Sequence, residues 1–174
     1  MNLSEQLNNT IRTIPDFPKP GIHFKDITPI LQNPTLLRAT ADALAMPFKN
    51  LGIQKVVGIE ARGFLFALMI AERLRAGFVP VRKPGKLPAK TIQASYALEY
   101  GFDTLEMHED ALGAGERVLV HDDVLATGGT TAAVVQLATR LGAEVVGFSF
   151  LIELGFLNGR DRIGGNTVEA LIRY

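Results

Sequence analysis

The chain has 174 residues, enough for one domain with a sizeable buried core. Its 18 basic and 18 acidic residues cancel, so no net field draws it to nucleic acid or a membrane surface, and the lack of cysteine excludes disulfide scaffolds and thiolate metal sites. The first residues are polar (Asn2, Ser4, Glu5, Gln6) and no apolar run reaches the ~20 residues of a membrane helix, so the expectation is a soluble cytoplasmic protein.

Leu3, Leu7, Ile11 and Ile14 recur at helical spacing and predict an opening amphipathic helix, stopped by the prolines and glycine of "PDFPKPG". Asn33 before Pro34 is a capping side chain ahead of a proline at the first helical position, and predicts a helix to about Asn50. "KVVGI" (Lys55 to Ile59) reads as a short buried strand, and "RGFLFALMIAERLRAG" as a helix ended by Gly77. "FVPVRK" is a strand, followed by a polar loop from Lys83 to Gln93. Ala94 to Gly101 and Thr104 to Glu109 alternate like an antiparallel pair. "RVLVHD" is a buried strand, Gly129 to Leu141 a helix, "EVVGFSFLIEL" a strand, and Val168 to Tyr174 an edge strand. Apolar strands alternating with helices predict an α/β fold with a mainly parallel central sheet. Ligands in such sheets bind beyond the carboxyl ends of the strands, which singles out Glu60 to Gly63, Arg82 to Lys90 and Asp122 to Thr131.

The run "RVLVHDDVLATGGTTAAVVQLATRLGA" carries the most chemistry. Ala126 to Thr131 joins a strand to a helix, so its backbone N–H groups lack helical partners and the helix dipole adds positive potential. Thr127, Thr130 and Thr131 offer hydroxyls, while Gly128 and Gly129 let the backbone curl around an anion; phosphate suits this best. Neither the P-loop pattern nor G-x-G-x-x-G is present, which argues against a nucleotide triphosphatase or a dinucleotide enzyme. Asp122 and Asp123 would repel phosphate, so they serve either ribose hydroxyls or Mg²⁺ shared with substrate oxygens. The competing reading is a solvated turn before a capped helix. The succession of apolar strand, paired aspartates, Thr-Gly-Gly-Thr-Thr and helix favours a ribose 5-phosphate site.

"VLVHDDVLATGGTT" resembles the phosphoribosyl-pyrophosphate motif of the type I phosphoribosyltransferases. "PDFPKPGIHFKDITPIL", "EARGFLF", "RKPGKLP", "SYALEYG" and "ELGFLNGR" resemble, in order and spacing, the adenine phosphoribosyltransferases among them. The resemblance spans nearly the whole chain. It implies one phosphoribosyltransferase domain over residues 1–174, of the type I fold with a small hood or lid, in which residues about 15–31 contribute to the base pocket. The implied reaction is adenine plus phosphoribosyl pyrophosphate giving AMP plus pyrophosphate, through an oxocarbenium-like transition state and with Mg²⁺ as cofactor.

Residue by residue, the resemblance puts the 5′-phosphate on Ala126, Thr127, Gly128, Gly129 and Thr130, and the ribose hydroxyls on Asp122 and Asp123, directly or through Mg²⁺ and water. It puts pyrophosphate on Glu60, Ala61 and Arg62, with Arg62 also in a catalytic role, and on Arg82, Lys83 and Lys86. The Glu60–Ala61 peptide is expected to be cis, turning N–H groups toward the anion. Basic residues of the 82–86 loop reach a neighbouring subunit in relatives, which implies a homodimer. Phe24 would stack on the purine, the His23 backbone would read its edge, and Lys25 stands where relatives often carry arginine. Glu99 would handle the proton transfer that base attack requires, and Tyr100 would help close the lid. His121 departs from the aliphatic residue usual before the aspartates and reads as a packing variant. Two alternatives stand beside this assignment: a 6-oxopurine phosphoribosyltransferase, and a non-catalytic regulator that senses phosphoribosyl pyrophosphate. The balanced charge and the short segment before the base pocket weigh against the regulator.

Overall fold

The computed structural model describes residues 2–97 and 101–174. Helix α1 (Leu3–Thr10) starts with a reciprocal cap: Asn2 Oδ1 accepts from Glu5 N, and Glu5 accepts from Asn2 N. The expected helix through Ile14 ends at Thr10 instead. Ile11 is extended, and Arg12–Ile14 forms β1, paired antiparallel with β2 (Phe24–Asp26). β-branched Ile11, Thr13 and Ile14 suit a strand, and Arg12 closes the ribbon on its register partner Asp26 at 2.7 Å. A short helix α2 (Thr28–Gln32), absent from the sequence reading, leads into α3 (Pro34–Ala45). The cap predicted for α3 is present: Asn33 Oδ1 accepts from Thr35 N and Leu36 N, worth about 1 kcal/mol.

β3 (Lys55–Ile59), α4 (Gly63–Leu74) and β4 (Gly77–Val81) follow. Helix α4 stops at left-handed Arg75, two residues before the expected Gly77, which instead opens β4. The hairpin of β5 (Thr91–Ala97) and β6 (Phe102–His108) starts three residues before the predicted Ala94. β7 (Arg117–Leu125), α5 (Gly129–Arg140), β8 (Glu144–Glu153), two 3₁₀ turns and β9 (Thr167–Arg173) complete the chain.

Five strands form a wholly parallel sheet in the order β4-β3-β7-β8-β9. Leu7, Ile30, Leu44, Phe48, Phe66 and Ile70 fill one core cluster; Val57, Leu105, Val120, Leu137, Phe148 and Phe150 fill the other. Burying each such side chain contributes about 1.5–3 kcal/mol. The chain winds outward from β3 to β4 on one side and from β7 to β8 and β9 on the other. The crevice where winding reverses therefore opens between β3 and β7.

Glycines bring α4 down onto that crevice. A Cβ on Gly58 would lie 2.7 Å from both Ala67 Cβ and Phe78 Cε2, and one on Gly63 would lie 2.8 Å from Asp122 Oδ1. Gly58→Ala should therefore overpack the seam between β3 and α4 and cost about 1–3 kcal/mol in urea unfolding; unchanged stability would show that α4 is not seated by this contact.

Candidate active site

Three loops meet at the carboxyl edge of the sheet around the reversal point: Glu60 to Arg62 after β3, Arg82 to Lys90 after β4, and Ala126 to Gly128 after β7. Beside them lies a cavity of about 260 Å³, lined by Glu60, Ala61 and Arg62 of the first loop, Lys83 of the second, Asp122 and Asp123 of β7 and Thr130 of α5.

Strand β7 does not end at Asp122, as predicted, but runs through both aspartates to Leu125. The pair is thereby held on a rigid ladder, with Asp122 opposite Phe150 of β8. Asp122 Oδ1 accepts from the Asp123 backbone N–H at 2.9 Å. Asp123 is 5% exposed. Its Oδ2 lies 2.8 Å from Arg62 Nε, yet the approach is not aligned as a hydrogen bond, so this buried oxygen has no hydrogen-bond partner. Burial, then the neighbouring charge of Asp123, pushes the Asp122 carboxyl well above the ordinary aspartate value. Burial also raises Asp123, against the opposing pull of Arg62.

Arg62 stands just before α4 and joins three parts of the site. Besides Asp123, its guanidinium donates to the Lys25 carbonyl at 3.5 Å and lies 4.6 Å from the centroid of the Phe24 ring. The Glu60–Ala61 peptide is cis, as the sequence reading expected. Glu60 does not face the cavity as a free carboxylate. It accepts from Lys83 N (2.9 Å) and Arg82 Nε (3.2 Å) and pairs with Lys86 Nζ (3.2 Å). Burial works against its charge, but these partners outweigh it and hold its carboxyl below the ordinary glutamate value. Glu106, buried on β6, accepts from Gly85 N at 3.0 Å and fixes the same loop from the other side. The Lys83 ammonium is paired with Asp103, which also accepts from the Tyr96 hydroxyl at 3.1 Å. Burial lowers the Lys83 pKa, but Asp103 and Tyr96 together outweigh it and hold it above the ordinary lysine value.

Gly128 takes a left-handed φ of +78° and α5 begins at Gly129. The first N–H groups of α5 thus lack helical acceptors next to the aspartates. The φ at 128 favours glycine, and a second reason, outside the sequence reading, adds to it. A Cβ there would strike the carbonyl oxygen of Gly159 rather than enter open space beside an anion. Of the five residues Ala126 to Thr130, Thr130 lines the cavity.

The base-segment residues separate. Phe24 meets Arg62, with Phe17 edge-on at 5.1 Å. Lys25, its neighbour on the strand, sends its ammonium the other way, to Thr13 Oγ1 (3.0 Å) and over the Tyr174 ring (3.8 Å). His23 is exposed just before β2. Glu99 and Tyr100 lie outside the described residues. His121 is fully buried, edge-on to Phe66, and burial drives its pKa down to about 3, so it packs as a neutral ring. Tyr96, Asp103, Glu106 and Gly159 were given no role in the sequence; Tyr96 and Gly159 sat inside the quoted motifs "SYALEYG" and "ELGFLNGR", while Asp103 and Glu106 sat in none.

A family profile described as "Phosphoribosyl transferase domain" matches residues 26–162. The adenine phosphoribosyltransferase of Myxococcus xanthus is 56% identical over 172 residues, covering 99% of this chain and 94% of that protein. The chain belongs to the adenine phosphoribosyltransferases. The crystal structure of the family member from Rhodothermus marinus superposes with a TM-score of 0.95 at 56% identity, covering 99% of this chain and 98% of that one. The Saccharomyces cerevisiae family member, solved with an imino-altritol bisphosphate and adenine, superposes with a TM-score of 0.91 at 40% identity, covering 97% and 98%. The fold is thus that of the type I phosphoribosyltransferases.

The raised carboxyl of Asp122 has a consequence for stability in this family member. Its folded pKa exceeds its unfolded one, so its contribution is fully favourable only below the ordinary aspartate value and is lost as pH rises. Asp122→Asn keeps the oxygen that accepts from Asp123 N and removes the charge. It should raise the thermal midpoint at pH 7, with the gain shrinking toward pH 4; a lower midpoint at pH 7 would contradict the assigned burial cost.

Proposed function

We propose that this protein is a pentosyltransferase of purine salvage, transferring the phosphoribosyl group of phosphoribosyl pyrophosphate to N9 of adenine and releasing AMP and pyrophosphate. The observation that carries this is one cavity bordered by adjacent aspartates, a cation-rich loop and the start of a helix, in a chain 56% identical to an adenine phosphoribosyltransferase across its length. In this reading residues 1–174 act as a single catalytic domain.

In the proposed mechanism the first turn of α5, with Ala126 to Thr130, holds the 5′-phosphate by unpaired N–H groups and hydroxyls. Asp122 and Asp123 accept from the ribose hydroxyls, directly or through water. Ala61 N–H, Arg62 and Lys83 meet the pyrophosphate, while Glu60 organises Arg82 and Lys86 around it. These donors are fixed before substrate arrives, so negative charge leaving C1 meets a site already oriented for it. Phe24 stacks on adenine, the backbone at His23 reads its edge, and Glu99 handles the proton with Tyr100 closing above, the last two resting on the sequence pattern alone.

Mg²⁺ is part of the proposal. Among the described residues no three His, Cys, Asp or Glu side chains cluster to hold a metal. The donor set here, two carboxylates with one buried oxygen lacking a hydrogen-bond partner, suits an ion that takes its remaining ligands from substrate oxygens and water. When bound, Mg²⁺ would neutralise charge on the pyrophosphate oxygens. A homodimer is also proposed, supported by the exposed apolar Leu65 and Leu68 one turn apart on α4 beside the site. No helix among the described residues is long and apolar enough to cross a membrane. A cytoplasmic location without nucleic-acid partners accords with the cancelling charges.

Adenine offers an amine donor and an N1 acceptor, and a 6-oxopurine reverses both. Each buried mismatch costs about 1–3 kcal/mol, so with Mg²⁺ and phosphoribosyl pyrophosphate the kcat/KM for adenine should exceed that for hypoxanthine by roughly 10²–10⁴. His23→Ala should leave this ratio largely intact and Phe24→Ala should weaken all bases. A ratio near one would turn the assignment toward a 6-oxopurine enzyme, and no nucleotide from any base would favour a sensor.

A further inference from the structure

The turn Gly159–Arg162 lies far along the chain from the paired aspartates, yet it touches the loop that follows them. A Cβ on Gly159 would overlap the Ala126 carbonyl oxygen and lie 3.0 Å from Leu125 Cδ1 and 3.1 Å from Gly128 N. A Cβ on Gly128 would in turn overlap the Gly159 carbonyl oxygen and lie 3.2 Å from Arg162 Cβ. Two backbones are therefore pressed together with no side chain between them. Gly128 is the left-handed residue that sets the direction of the first turn of α5.

The turn is held by its own ion pair. Arg160 grips Glu153 with two bonds, Nε to Oε1 at 2.8 Å and Nη2 to Oε2 at 2.7 Å, while Nη1 donates to the Val168 carbonyl at 3.0 Å. The Glu153 side chain is 4% exposed, and the residue ends β8 directly opposite Leu125, the last residue of β7. Leu154 N also donates to the Leu125 carbonyl at 2.9 Å. The anchor of the turn and the root of the loop are thus neighbours on one ladder. A bidentate guanidinium–carboxylate pair fixes orientation as well as distance. Arg173 Nε, 3.7 Å from Glu153 Oε1, leaves the carboxylate a counter-charge if Arg160 is changed.

We propose that Glu153, Arg160 and Gly159 form a clamp that positions the Ala126–Gly128 loop for the 5′-phosphate, so that they control affinity for phosphorylated ligands without touching them. The proposal rests on the reading of that loop as the phosphate site. These are positioning residues, and their signature is selectivity among ligands rather than loss of fold.

The test compares Gly159→Ala, Arg160→Met and Arg160→Lys with the wild type, by AMP calorimetry, by KM for phosphoribosyl pyrophosphate and for adenine, and by thermal midpoint. Displacing a positioned loop by a fraction of an ångström is expected to weaken AMP and raise the KM for phosphoribosyl pyrophosphate about tenfold or more in the first two variants, with the KM for adenine at saturating co-substrate changed less than about twofold. Arg160→Lys, which keeps the charge but not the fork, should fall between. If Gly159→Ala does not fold, the Arg160 pair decides the matter. Folded variants with a lower midpoint but wild-type AMP affinity, or equal losses for both substrates, would overturn the clamp. A wild type that binds AMP but makes no nucleotide would overturn the activity alone, since the clamp is still read by AMP affinity.

Discussion

Two adjacent carboxylates, Asp123 buried and Asp122 half-buried, are held where the winding of a parallel sheet reverses, and the rest of the site follows from that constraint. Neither charge is comfortable. Burial raises both, the charge of Asp123 raises Asp122 further, and Arg62 compensates Asp123 only in part. A buried charge without full compensation is costly to a fold, so surrounding structure must hold it in place. Here that structure is the ladder of β7 with β8, which β3 flanks as far as His121, and α4 seated against Asp122 through Gly63.

The same logic of opposed charges orders the cations. Glu60 and Glu106 gather the Arg82 to Lys86 loop from two sides, and Asp103 holds Lys83. Acidic residues away from the phosphate positions thus pre-position basic ones facing them, lowering the reorganisation needed when an anion arrives. Arg62 carries the coupling further, because one guanidinium touches Asp123, the ring of Phe24 and the backbone of Lys25.

Much of this was legible in the sequence where local chemistry dominates. The Asn33–Pro34 start, the run into paired aspartates and the glycine-threonine turn each state their conformation within a few residues. The failures lie where distant contacts decide. Ile11 and Ile14 satisfy helical spacing, but pairing of Arg12–Ile14 with Phe24–Asp26 ends the helix. Lys25 sits in the same short motif as Phe24, yet strand alternation sends it to Tyr174. Gly128 was legible as a glycine of the turn, but a second reason for it, the backbone of Gly159, is written thirty-odd residues away. Glu106 interrupts no pattern, and its bond from Gly85 N is a contact between the hairpin and a loop that precedes it.

The central claim is that residues unfavourable to the free fold are those that hold the ligand. Ligand-induced stabilisation measures this directly. At about one hundred times the dissociation constant, Mg²⁺ with phosphoribosyl pyrophosphate should stabilise the wild type by about 2.7 kcal/mol, read as a rise in thermal midpoint. Asp123→Asn should lose most of that rise at the same concentration while its ligand-free midpoint stays at or above wild type. An equal ligand-induced rise in both proteins would contradict the account.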